Sequence, residues 1–97
     1  MCVDKGGLMD ALLKMEYDNC IREAQRKEFL ALQSQCQKEY LDAKKYFFQA
    51  ADSYSTAQCI ALRANDETLA DSARDKHNEC LHQVNEINFH QEQLEQS

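Results

Sequence analysis

Small and aromatic residues recur along the middle of this chain at positions Cys36, Tyr40, Ala43, Phe47, Ala50, Tyr54, Ala57, Ala61 and Ala64, in strict alternation of four and three. That spacing is the stripe one side of a long α-helix presents to a partner helix. A looser stripe precedes it at Leu13, Tyr17, Cys20 and Ala24, and Arg22, Arg26 and Gln33 interrupt any simple backward extension of the main seam. The register therefore shifts between residues 24 and 36, where the contacting partner can change. A third stripe follows at Ala70, Ala73, His77, Cys80, Val84, Ile87, Gln91 and Leu94. The step from Ala64 to Ala70 fits neither phase.

These stripes predict an all-α chain: an elongated antiparallel helical hairpin or coiled coil. Residues 1–7 read as a disordered lead-in, with Gly6-Gly7 as a poor helix start. The first helix is expected over about 8–64, which at ~1.5 Å per residue is roughly 85 Å long. Between it and the next stripe stands Asn65-Asp66-Glu67. Asn and Asp are favoured helix N-caps, and acidic residues suit a first turn. Two readings remain open there: a tight turn at 65–66 followed by a second helix over about 67–94, or one continuous helix with a register skip. Under the hairpin reading Ala61 meets Ala73, Ala57 lies near His77, Tyr54 meets Cys80, Ala50 meets Val84, Phe47 meets Ile87 and Tyr40 comes near Leu94. The return helix is only about half as long as the first. Residues 8 to about 38 are then left without a partner inside the chain, and their stripe is expected to need another chain or sequence missing from this one. Tyr46, Phe47 and Phe48 are consecutive and fan over about 200° of a helix. Either they are buried on two sides, as in a bundle of three or more helices, or one aromatic is left exposed.

Composition supports the helical reading. There is no Pro and no Trp, and Gly6 and Gly7 are the only glycines. No alternating strand pattern is present. With 97 residues the chain is one domain at most. The formal net charge of −6 is uneven: residues 1–50 carry eight Lys/Arg against eight Asp/Glu, and residues 51–97 carry three against nine. An acidic second half argues against nucleic-acid binding. Cys2, Cys20, Cys36, Cys59 and Cys80 are odd in number and widely spaced, which is not a disulfide framework and fits a reducing, cytoplasmic compartment. No signal-peptide pattern and no run of transmembrane length occur.

His77, Cys80 and His82 are close in sequence, and His77 with Cys80 share a helix face as metal ligands do. No second pair completes a ligand set, so these side chains read as interface filling, with no metal site. No Gly-rich phosphate loop and no oxyanion-donor loop accompany the His/Cys pair. The expectation is no catalytic residues, no cofactor and no small-molecule substrate.

Two stretches carry a family resemblance. Ala73 to Asn88, with Asn78-Glu79-Cys80-Leu81 and Asn88 in it, resembles the start of the third long helix of F-BAR domains. His77-Asn78 followed by His90-Gln91 is similar to the Fes/Fer kinase branch, and the Asn-Glu-x-Leu form to the Slit–Robo Rho GAP branch. Lys38-Glu39-Tyr40-Leu41-Asp42-Ala43-Lys44 is similar to the Lys-x-Tyr-x-x-Ala-Lys runs of the family's second long helix. The resemblance covers about residues 30–93. It departs at Cys80, where an aromatic is usual, and in the missing first helix. It implies a partial F-BAR domain, with Asn65 at the wing tip. It further implies a homodimer or heterodimer through long helices, and association with anionic phospholipid membranes at the cytoplasmic face, linking curvature to actin. On that resemblance the candidate membrane contacts are Arg22, Arg26, Lys27, Lys38, Lys44 and Lys45, although Glu23, Glu28, Glu39 and Asp42 lie among them. The alternative is a structural coiled-coil interaction segment without lipid affinity, its cations part of a solvated face laced with i,i+4 pairs.

Overall fold

The computed structural model describes the backbone of residues 2–96 and the side chains of residues 11–94. The described chain is all-α, with three helices in the order α1 (Cys2–Cys36), α2 (Tyr40–Arg63) and α3 (Glu67–Gln96). The molecule extends over 67 × 18 × 13 Å.

The first correction to the sequence reading is the helix expected over 8–64. It is broken at Gln37–Glu39, and α1 folds back along α2. Lys38 takes φ 62° there. The Lys38 N–H donates to the Gln35 carbonyl and the Glu39 N–H to the Ser34 carbonyl, at 3.0 and 2.8 Å. This paired bonding around a left-handed residue satisfies the last carbonyls of α1 and stops the helix. A lysine is an unusual residue for that conformation, so nothing in the local sequence announced it. The lead-in expected over 1–7 is also corrected: from Cys2 onward the backbone belongs to α1, while Met1 lies outside the described residues. Gly6 and Gly7 each cost a helix only about 1 kcal/mol relative to alanine, which weakens a helix without ending it.

A consequence is that residues 8 to 38 are not left for another chain. Tyr17, Ala24 and Ala31 recur every seventh residue on α1 and are all buried. Ala24 and Ala31 join Ala43, Phe47, Ala50, Ala51, Tyr54, Cys80, Val84 and Ile87 in one core cluster. Tyr17 joins Ala57, Ile60, Ala61, Ala70 and Ala73 in a second, at the end where α2 turns into α3. Helix α2 is therefore the central element, with α1 on one side and α3 on the other. Alanine dominates the contacts, which lets helix backbones approach closely.

The α2–α3 turn falls at Ala64–Asp66, where Asn65 takes φ 58°. The helices on either side run antiparallel: the His77 Nδ1–H donates to the Ala51 carbonyl at 2.8 Å, and Lys44 Nζ donates to Asn88 Oδ1 and Gln91 Oε1 at 3.0 and 2.8 Å. The main seam is buried at Ala43, Phe47, Ala50, Tyr54, Ala57 and Ala61, and its counterparts Ala73, Cys80, Val84 and Ile87 are buried on α3. Three end positions differ from expectation. Cys36 is exposed, because it precedes the break and never joins α2. Ala64 is half-buried at the turn, and Leu94 is exposed. Tyr40 packs edge-on against His90, with ring centroids 5.4 Å apart and planes at 67°.

Candidate interaction surface

The three consecutive aromatics of α2 separate three environments. Phe47 is buried in the core. Tyr46 is half-buried toward α1, with Lys27 Nζ of α1 at 5.7 Å and Lys45 Nζ at 5.6 Å from its ring centroid. Phe48 is left 50% exposed on the outer face. Helical spacing of 100° per residue makes this unavoidable when α2 has neighbours on only two sides.

The cations named from the sequence sit in different settings. Arg22 is exposed; Arg26 is exposed and pairs with Glu23 at 2.7 Å. That bond from the guanidinium holds the Glu23 carboxyl below its usual range. Lys44 is committed to α3 through Asn88 and Gln91. Lys38 sits in the α1–α2 turn. Lys27 and Lys45, from two different helices, meet at the Tyr46 ring.

Large apolar side chains left on the outside are a second feature, and sequence periodicity missed their grouping. On α1, Phe29 is 62% exposed and Leu32 53%, and with Gln33, Cys36 and Gln37 they line one shallow apolar hollow. They sit one turn apart, at i, i+3 and i+7, so a second stripe outside the core-facing one was the available signal. On α2, Leu41, Phe48 and Leu62 are exposed, and on α3 Phe89 is.

Leu32 also borders a groove of about 810 Å³ between α1 and α3. The two helices meet where the Tyr17 hydroxyl donates to the Leu69 carbonyl at 3.3 Å, and further along both pack on α2 with a gap between them. Phe47 lies at its floor; Glu28, Asp75, Glu79 and His82 are on its walls. The Tyr54 hydroxyl beneath donates to the Glu28 carboxylate. Burial, then that hydrogen bond and the nearby carboxylates, push the Tyr54 phenol well above its ordinary 10.0. Burial, with Glu28 and Glu79 adding to it, pushes the Cys80 thiol up to about 12. Cys80 is thus an un-ionised core residue near neutrality.

Among the described residues no group of three or more His, Cys, Asp or Glu side chains is placed to hold a metal ion. His77 is turned to the Ala51 carbonyl, while His82 lies 3.3 Å from Glu86. No helix among the described residues is long and apolar enough to cross a membrane. No family model matches the chain, and neither a curated protein nor a solved structure matches it.

Proposed function

We propose that this chain is a non-enzymatic helical docking module, a protein–protein interaction segment. The observation that carries the reading is the contiguous apolar strip of Phe29, Leu32 and Cys36 on α1, continuous through Leu32 with the groove between α1 and α3. The core beneath is closed with alanines. Contiguous apolar surface on a closed core marks a place where another surface packs. The test places a photo-cross-linking amino acid at position 32, 48 or 89 in the full chain inside cells, with position 52 as a polar control. Protein adducts at the apolar positions and none at 52 support the reading. Equal yields at all four positions overturn it.

A second reading keeps the F-BAR resemblance: a dimerising helical segment that associates with anionic membranes at the cytoplasmic periphery. It is favoured by Lys27 and Lys45 flanking Tyr46 from two helices, with Arg22 exposed on α1. Each cation near an anionic surface contributes about 1 kcal/mol. Co-sedimentation with phosphatidylserine vesicles at low salt, lost in a Lys27→Glu/Lys45→Glu variant, supports it. A folded chain that stays in the supernatant excludes it.

A further inference from the structure

The groove between α1 and α3 narrows the partner of this docking module to one class. We propose that the groove receives a basic amphipathic helix of another protein, an assignment that rests on the docking function proposed above.

Shape is the first argument. The groove is walled by two parallel helices, α1 and α3, over a floor contributed by α2 at Phe47. A helix laid there packs its apolar face on Leu32, above the already buried Phe47, and fills a vacant position of a four-helix bundle. No strand occurs among the described residues to offer a sheet edge to an extended peptide, so helix-in-groove is the applicable recognition mode.

Charge is the second argument, and it sets the partner's sign. Glu28, Asp75 and Glu79 border the groove. Two of these carboxylates have exposed cations beside them, Arg74 shared between Asp71 and Asp75 at 3.5 and 3.7 Å and Lys76 3.5 Å from Glu79, so that the four carboxylates Glu28, Asp71, Asp75 and Glu79 face two cations. Burial is the main cause of the raised titration of Tyr54 and Cys80 below; Glu28 and Glu79 add to it, and at Cys80 Lys76 opposes it. A helix with lysines or arginines flanking its apolar stripe complements those walls, and such complementarity sets partner choice and on-rate.

The same charge pattern disfavours the α3 of a second copy as occupant. The chain carries −6 overall, all of it in residues 51–97. Laying another α3 into this groove sets carboxylates against carboxylates.

The experiment titrates the isotope-labelled full chain with two synthetic peptides of about 18 residues, long enough for five helical turns. Their leucines are identical; one carries Lys flanks and the other Glu flanks. The Lys peptide is expected to shift the amide resonances of Leu32, Asn78, Glu79 and Gln83. It should bind about tenfold or more tightly than the Glu peptide at low ionic strength. An Asp75→Lys/Glu79→Lys variant should lose that preference, while Arg22→Glu keeps it. Both acidic positions are exposed, so the variant is expected to keep its helical circular dichroism; Glu79→Gln is the milder check. Equal affinity for the two peptides, absence of binding, or shifts centred on Leu41 and Phe48 overturn the proposal. Concentration-dependent dimerisation abolished by Leu32→Glu does so too, because it makes a second copy the occupant. If cross-links persist at position 48 while the Lys peptide fails to bind, the docking reading survives and the groove assignment falls.

Discussion

At the α1–α2 turn Lys38 takes φ 62°, and at the α2–α3 turn Asn65 takes φ 58°. Around these two residues the hydrogen bonds correspond one for one. Gln37 and Ala64 donate to Gln33 and Ile60, Lys38 and Asn65 to Gln35 and Leu62, and Glu39 and Asp66 to Ser34 and Ala61. The next helix then opens in the same way, with the Ala43 N–H donating to Glu39 and the Ala70 N–H to Asp66. The chemistry, however, differs. Asn tolerates the left-handed region, and the Asp66 carboxylate accepts the Leu69 N–H at 3.0 Å. Lys38 has no such local help, and Glu39 makes no side-chain cap. The backbone solution is dictated by the need to satisfy the last carbonyls of one helix before starting another. Residue preference changes its stability without changing its shape, because packing of α1 on α2 holds the α1–α2 turn closed.

The sharpest way to break this comparison is to overpack the alanine that opens each following helix. Ala43→Leu and Ala70→Leu should each destabilise the protein by about 1–3 kcal/mol in urea unfolding, since both sites are buried among close-packed neighbours. A neutral Ala43→Leu beside a costly Ala70→Leu would mean the α1–α2 end is loosely packed and the two turns are not equivalent.

Next in size is the cap. Asp66→Ala should cost about 1 kcal/mol through the lost bond to Leu69, whereas Glu39→Ala should be close to neutral. Thermal melts of the two variants read the contrast directly. Of similar or smaller size is the relief of the left-handed residue. Lys38→Gly should raise stability by up to about 1 kcal/mol, and Asn65→Gly should change it by only a few tenths. A melting point that falls in Lys38→Gly would show that the lysine side chain contributes something the turn geometry does not require.

The smallest effect at neutral pH concerns the core between the turns. The Cys80 thiol is raised from 9.0 to about 12 on folding, and the Tyr54 phenol is raised from 10.0. Stability from keeping these groups neutral is fully present below about pH 9 and is lost as pH rises through the folded values. Urea midpoints should therefore be flat near neutrality and fall above the ordinary thiol range. In Cys80→Ala the fall should begin later, near the ordinary phenol value of 10.0. An onset that does not move in Cys80→Ala would assign the alkaline limb to other groups.

The two turns also explain how far the sequence could be read. Asn65-Asp66 carries cap chemistry, so a break was legible there, and the stripe positions Ala73, Cys80, Val84 and Ile87 followed from it. Gln37-Lys38-Glu39 carries no such chemistry, and the heptad seam runs through it in phase from Cys36 to Tyr40 to Ala43. Periodicity records which residues share a helix face, and it cannot record a reversal that happens to preserve phase. The candidate surface was less legible still. Phe29, Leu32, Cys36 and the carboxylates at 28, 75 and 79 are far apart in sequence, and only the fold-back of α1 brings the first half of that set beside the second.

What the sequence determined by itself is the helical state and the identity of the buried faces, because side-chain spacing and the absence of interior breakers act locally. What only the tertiary structure decided is the number of helices and the surface they leave open. Whether a lysine is held at positive φ depends on the burial of Ala24 and Ala31 against α2, and that burial free energy comes from residues the turn itself does not contain.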